Sequence, residues 1–155
     1  MMPKVGDSAP DFKLPDQNGK VRTLKEFKGQ SVLVYFYPKD FTSGCTTEAC
    51  TIRDSFPNFK TQDLVVLGIS ADTVESHKKF ADKYKLPFTL LADPDKKVIN
   101  LYGVWQKKKF LGKEYMGIAR SSFLLDKKGK IAKVYNKVKP PIHAAQVLKD
   151  SEELK

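Results

Sequence analysis

Two short runs constrain this chain more than anything else in it. Ser31-Val32-Leu33-Val34-Tyr35-Phe36-Tyr37 and Leu64-Val65-Val66-Leu67-Gly68-Ile69-Ser70 are almost unbroken successions of β-branched, aromatic and aliphatic residues. A strand with one wet face alternates polar and apolar residues, whereas a strand without that alternation is buried on both faces and needs cover above and below. The segment between the runs, from about Thr46 to Lys60, reads as helix, with Pro57 kinking or ending it. A chain of 155 residues built this way buries roughly 70% of the surface its unfolded form exposes, enough for one compact domain over 1–155.

The rest of the chain continues the alternation. Val5 to Pro15 leads into Asp16-Gln17-Asn18-Gly19, a tight-turn signal, and Val21 to Leu24 reads as the return strand of an N-terminal hairpin. Asp72-Thr73 caps a helix running to about Lys85, with Val74, Phe80, Ala81 and Tyr84 on its apolar face. Phe88 to Leu91 is a strand, and Lys96 to Tyr102 a short helix. Ser122 to Leu125 and Lys130 to Tyr135 are strands joined by Asp126-Lys127-Lys128-Gly129. An amphipathic helix covers about Ile142 to Leu154. The fold class is α/β: a mixed central sheet flanked by helices, with an N-terminal β-hairpin extension. Trp105, Phe110 and Tyr115, between these elements, either line a pocket or pack, and core packing is the expectation for each.

Charge divides the chain unevenly. Residues 1–77 carry 9 Lys+Arg and 10 Asp+Glu, while residues 78–155 carry 19 and 8. The excess gathers in clusters such as Lys107-Lys108-Lys109 and Lys127-Lys128-Gly129-Lys130. Lys outnumbers Arg 25 to 3, and the aromatic interleaving of single-strand binders is missing, so solvated lysines at turns and strand edges are the expectation rather than nucleic-acid contact. With 41% hydrophobic and 30% charged residues the composition is that of a globular protein. No apolar run approaches the roughly 20 residues that span a bilayer. The N-terminus lacks the apolar stretch of a signal peptide, which predicts a cytoplasmic protein without membrane association.

The chemistry sits where the first apolar run ends. The run passes into Pro38-Lys39-Asp40-Phe41-Thr42-Ser43-Gly44-Cys45 and then into helix, so Cys45 lies at or near a helix N-terminus, at the carboxyl edge of a core strand. Unpaired backbone N–H groups and the helix dipole favour an anion there, and the anionic form of cysteine is its reactive form. The Thr42 hydroxyl is placed to hold a polar substrate atom, and Gly44 lets other groups approach without a Cβ in the way.

Cys50 follows five residues later. In an intact helix that spacing puts the two Cα atoms about 8.6 Å apart, whereas a disulfide needs about 4.4–6.8 Å. The two thiols cannot bond unless the first turns unwind. A metal site would need further ligands, and the only histidines are His77 and His143. C-x₄-C is at the wide limit of zinc spacing, no second cysteine pair exists, and His77 beside Lys78 and Lys79 reads as solvated. No cofactor is expected. A lowered thiol pKa also wants a fixed cation, and either Arg120, just before the strand at Ser122, or Arg53, on the helix of Cys50, could supply it.

The segment Phe36-Tyr37-Pro38-Lys39-Asp40-Phe41-Thr42-Ser43-Gly44-Cys45-Thr46-Thr47-Glu48-Ala49-Cys50 resembles the active-site segment of peroxiredoxins, and within them the bacterioferritin-comigratory or peroxiredoxin Q branch. Pro38, Thr42 and Cys45 stand as that family's P-x-x-x-T-x-x-C element. The resemblance extends from Val5-Gly6-Asp7-Ser8-Ala9-Pro10-Asp11-Phe12 through Ser76-His77-Lys78-Lys79-Phe80, Leu91-Ala92-Asp93-Pro94 and Tyr102-Gly103-Val104-Trp105 to Gly117-Ile118-Ala119-Arg120-Ser121-Ser122-Phe123.

It implies a thioredoxin-like fold carrying a thiol peroxidase. Cys45 would be the peroxidatic cysteine, oxidised by hydrogen peroxide or an organic hydroperoxide to a sulfenic acid, and Cys50 the resolving cysteine that closes an intramolecular disulfide. Thr42 and Arg120 would position the peroxide, with the Gly44 and Cys45 backbone. Pro38 would shield the sulfur, and Glu48 would anchor the arginine. Thioredoxin or a similar dithiol protein would be the reductant, and members of this branch are often monomeric. Ser43 stands where the family usually has proline, which predicts a looser loop with the reaction preserved. A thiol-based sensor or holdase, or a nucleic-acid role for the basic half, are the readings from other classes.

Overall fold

The computed structural model describes residues 2–154. β1 (Lys13–Pro15) and β2 (Val21–Thr23) pair antiparallel as the N-terminal hairpin, and one 3-10 turn follows at Leu24–Phe27. The first apolar run is β3 (Ser31–Phe36), with every residue buried. It is followed by α1 (Ser43–Asp54), α2 (Phe56–Thr61) and the second run, β4 (Leu64–Ser70). α3 (Val74–Tyr84), β5 (Thr89–Ala92) and α4 (Lys97–Leu101) come next. β6 (Trp105–Phe110) and β7 (Lys113–Ile118) form a second hairpin, and β8 (Ser121–Leu125), β9 (Ile131–Tyr135) and α5 (His143–Glu152) complete the chain.

The central sheet has the order β5-β4-β3-β8-β9. β3, β4 and β5 run parallel, and β8 and β9 antiparallel to their neighbours. Leu33, Tyr35 and Tyr37 face one core, filled by Ala49 and Ile52 of α1, Phe59 of α2, Phe80 of α3 and Val147 of α5. Val32, Val34 and Phe36 face the other, with Val98 and Ile99 of α4 and Phe12, Leu14 and Leu24 from the N-terminal segment. Apolar cover on both faces is why neither run alternates. Among the described residues no helix is long and apolar enough to cross a membrane.

Element ends depart from the sequence reading in physically simple ways. The helix expected over 46–60 is two helices. It starts at Ser43 and breaks at Ser55, because the ring of Pro57 excludes a helical carbonyl at Arg53 while fitting the first turn of a new helix. Ser43 is therefore not a loop residue but the first residue of α1. Thr73 caps α3 as expected, its Oγ1 accepting from the Ser76 N–H at 3.1 Å.

The β6–β7 hairpin is absent from the sequence reading, and it corrects the expectation for two aromatics. Phe110 and Tyr115 are 66% and 47% exposed, because this hairpin lies outside the central sheet and leaves one face uncovered. Leu111 and Gly112, with φ of +51° and +79°, make the mirror-image turn that matches strand twist. Trp105 does pack, half-buried against the second core with Lys96 Nζ 5.3 Å from its ring centre.

Candidate active site

The site is assembled by register. Phe36, the last residue of β3, lies opposite Ser121, the first of β8. Arg120 therefore emerges beside the end of β3, where the chain leaves the sheet through the 38–42 loop and enters α1. Its backbone corner is held by Ala119 N–H on the Val104 carbonyl at 2.8 Å and Val138 N–H on the Arg120 carbonyl at 3.2 Å. From there Nη2 reaches Cys45 Sγ at 3.3 Å, and Nη1 reaches Glu48 Oε1 at 2.8 Å. The structure thus decides between the two candidate arginines. Arg53 points elsewhere, to Asp54 and to the Tyr84 carbonyl.

Cys45 is the third residue of α1 and is 1% exposed, with its thiol free. The first helical bond runs from Thr46 N–H to the Thr42 carbonyl at 2.9 Å, so the N–H groups of Ser43, Gly44 and Cys45 have no helical acceptor and point their positive ends toward this corner. Thr42, the N-cap, donates its hydroxyl proton to the Lys39 carbonyl at 2.8 Å. That leaves its oxygen as an acceptor. Gly44 leaves room for a close approach: a Cβ there would stand 3.0 Å from Arg120 Nη2, so the guanidinium lies across the first turn of the helix. Cys50 is half-buried on the same unbroken helix.

Glu48 is fully buried, and its second oxygen, Oε2, has no partner among the described residues. Burial pushes its carboxyl up to about 7, against the opposing pull of the Arg120 guanidinium. Beneath α1, Tyr35 crosses Gly68, where a Cβ would stand 2.8 Å from its ring. Burial first, then the neighbouring Glu48, Cys45 and Asp40, raise its phenol well above the ordinary range.

Three features of the site were not read from the sequence. Lys108, the middle of the three-lysine run, turns inward while Lys107 pairs with Glu114 in solvent. Its stem crosses Gly117, its Nζ donates to the Ile118 carbonyl at 3.0 Å, and burial followed by Arg120 lowers its pKa. It borders two cavities. One, of about 340 Å³, also touches Pro38, Lys39 and Trp105; the other, of about 360 Å³, touches Arg120 and Lys137. Alternation along β6 is the signal that separates Lys108 from its neighbours, once the strand is known.

The second feature corrects an expectation. His77 is not solvated but fully buried, with Nδ1 2.7 Å from Asp40 Oδ2 and Nε2 3.0 Å from the Leu91 carbonyl. With Asp72 these two form a close group of metal-type donor atoms; neither cysteine belongs to it. The third is His143, buried with Nε2 2.8 Å from Ser122 Oγ, its pKa pushed down to about 4 by burial.

Residues 5–134 match the AhpC/TSA family. The chain is 48% identical over 153 residues to peroxiredoxin Bcp of Bacillus subtilis, covering 97% of this chain and 98% of that one. It is 50% identical over 145 residues to peroxiredoxin Bcp of Escherichia coli, covering 94% and 93%. Among solved structures it resembles the Xanthomonas campestris bacterioferritin comigratory protein, described for its alkyl peroxide reduction activity, with a TM-score of 0.88 and 34% identity over 97% of this chain and 96% of that one. The fold thus coincides with that of thioredoxin-fold peroxiredoxins along nearly the whole length, and the chain belongs to the AhpC/TSA family, in its peroxiredoxin Bcp branch.

Proposed function

We propose that this thiol-dependent peroxidase works through Cys45 as the peroxidatic cysteine and Cys50 as the resolving one. The observation that carries the reading is the Arg120 guanidinium on Cys45 Sγ at 3.3 Å, braced from behind by Glu48. A cation so placed, together with the free N–H groups of the first turn of α1, sets fixed positive charge and hydrogen-bond donors around the sulfur that meets peroxide.

The thiolate attacks the terminal oxygen of a hydroperoxide. An S–O bond forms as the O–O bond breaks, Cys45 is oxidised by two electrons to the sulfenic acid, and the departing oxygen leaves as an alcohol or water after taking a proton. Negative charge grows on both oxygens during that displacement. Arg120 and the N–H groups at Gly44 and Cys45 are fixed donors for it and need not reorganise. The Thr42 oxygen, its own proton committed to Lys39, accepts the hydroperoxide O–H and so aligns the O–O bond. Pro38 helps keep water from the sulfur. The Cys50 thiolate then attacks Cys45 Sγ, the S–O bond breaks, water leaves and the disulfide forms. Because about 8.6 Å separates the two Cα atoms in an intact helix, α1 unwinds over its first turns for this step.

Thioredoxin or a similar dithiol protein returns the disulfide to two thiols by exchange. Hydrogen peroxide and alkyl hydroperoxides are the substrates proposed, the latter by likeness to the Xanthomonas protein. The chain acts as a monomeric, single thioredoxin-like unit over 1–155, whose ends, Met1 and Lys155, lie outside the described residues. It is a cytoplasmic enzyme without membrane or nucleic-acid partners, and its basic second half is a solvated surface. In turnover assays with thioredoxin, Cys45→Ser abolishes peroxide consumption. Cys50→Ser consumes about one equivalent and stalls as the sulfenic acid. Normal turnover by Cys50→Ser would remove that residue from the mechanism.

A further inference from the structure

The 38–42 loop carries Pro38 and Thr42 and delivers the chain into α1, and what fixes it is a buried polar group away from the thiol. Asp40, 3% exposed in the middle of that loop, accepts from the Tyr37 hydroxyl at 2.7 Å on Oδ1 and from the Ser76 hydroxyl at 2.8 Å on Oδ2. His77 Nδ1 lies 2.7 Å from the same Oδ2. The other ring nitrogen, Nε2, faces the Leu91 carbonyl, which can only accept, at 3.0 Å. The Asp40 N–H donates to Asp72 Oδ2 at 2.9 Å, and Ser70 Oγ donates to that same oxygen at 2.6 Å. One loop residue is thereby tied to Tyr37 just past β3, to Asp72 just past β4, and to Ser76 and His77 of α3 at once.

The next residue shows what the tie withstands. Phe41 has φ +67°, a left-handed conformation that is strained for a bulky side chain. Its ring leans on Phe80, 5.1 Å between centres. A strained residue persists only where its surroundings over-determine it, and here the fixed points are Asp40 on one side and the α3 aromatics on the other. Beyond the cysteines a second set of anchors begins. Arg53 Nη1 donates to the Tyr84 carbonyl at 2.8 Å, and Ile52 is fully buried. The stretch from Thr42 to Cys50 lies between the two.

We infer that Asp40, with His77 and Ser76, is a positioning latch for peroxide attack: it sets where Thr42 and the first turn of α1 stand, and it takes no part in the resolving step. This rests on the reading of Cys45 as the thiol that meets peroxide. Misplacing a positioned group by about 1 Å costs on the order of a hundredfold in rate, whereas the resolving step requires the segment downstream to let go.

The two steps are separated by kinetics. In a Cys50→Ser background, sulfenic acid formation at Cys45 is timed with hydrogen peroxide for the parent, Asp40→Asn and the milder Ser76→Ala. In the otherwise native chain, conversion of the sulfenic acid to disulfide is timed separately. The latch predicts attack slowed by about ten- to a hundredfold in Asp40→Asn and by a few-fold in Ser76→Ala, with disulfide formation as fast as in the parent or faster. Attack at the parent rate in both variants, or both steps slowed in equal proportion, overturns it. Should Asp40→Asn not fold, Ser76→Ala decides alone by the same two rates. The underlying reading fails differently: the parent carrying Cys45→Ser would still react with peroxide.

Discussion

At the scale of single residues, the site turns on one carboxylate whose position is costly. Glu48 is fully buried and only half-satisfied, with Oε1 on Arg120 and Oε2 unpartnered. It earns that burial by holding the guanidinium in place over Cys45. Its folded pKa, about 7, exceeds the ordinary 4.5, so the folded state binds the extra proton between those values. The contribution to stability is therefore fully present below pH 4.5 and is lost as pH rises through 7, by up to roughly 3 kcal/mol at 1.36 kcal/mol per pH unit. His143 works with the opposite sign. Its pKa falls from 6.5 to about 4, so its contribution is present above pH 6.5 and is lost as pH falls toward 4. The two offset one another over nearly the same window. Glu48→Gln removes one of them, so its stability relative to the parent, read from urea unfolding at pH 5 and pH 8, should improve markedly at the higher pH. A difference independent of pH would contradict the buried, ionising Glu48. None of this was legible in the sequence. Glu48 was picked out by resemblance, but its burial follows from α1 lying flat on the sheet. The burial of His77 is not legible from its neighbours Lys78 and Lys79, because the partner that explains it, Asp40, stands 37 positions earlier.

At the scale of elements, the proposed cycle gives α1 two tasks that conflict. Intact, it would present N–H groups to Cys45; unwound, it would let Cys50 reach Cys45. Its stability therefore sets the balance between the first and second half of the cycle. Ser43 occupies the first position of the helix, where the N–H has no acceptor and proline is favoured. Ser43→Pro should stabilise the helical form by about 0.4–1 kcal/mol. That leaves peroxide attack unchanged and slows disulfide formation by roughly two- to fivefold, as stopped-flow measurement of the two phases would show. Collapse of the attack rate in the proline variant would show that the first turn is not a preformed helix end. The two core strands and α3 were legible because each is specified locally, by apolar continuity in one case and a Thr73 cap in the other. The β6–β7 hairpin was not. Lys107, Lys108 and Lys109 mask its alternation, and only pairing with Lys113–Ile118 makes a strand of such a sequence.

At the scale of the whole molecule, chemistry-bearing residues far apart in the chain meet because of sheet order. β3 between β4 and β8 brings the loop after Phe36, the corner at Arg120 and the start of α1 to one end of the sheet. The two-cysteine pattern could be read directly. Residue pattern alone leaves Arg120 and Arg53 both open and the resemblance names Arg120; the Phe36–Ser121 register explains how Arg120 comes to stand at Cys45. The basic half divides in the same way, since its described lysines are exposed except Lys96, laid over Trp105, and Lys108, which strand alternation turns inward. The central claim is that this corner performs one two-electron oxidation ending in a bond between Cys45 and Cys50. Intact-mass spectrometry with free-thiol labelling, after one equivalent of hydrogen peroxide, tests it directly. The account predicts that both thiols disappear with a loss of about 2 Da, the two hydrogens given up on forming a disulfide, and that thioredoxin restores both. Two labelled thiols remaining after treatment would contradict it.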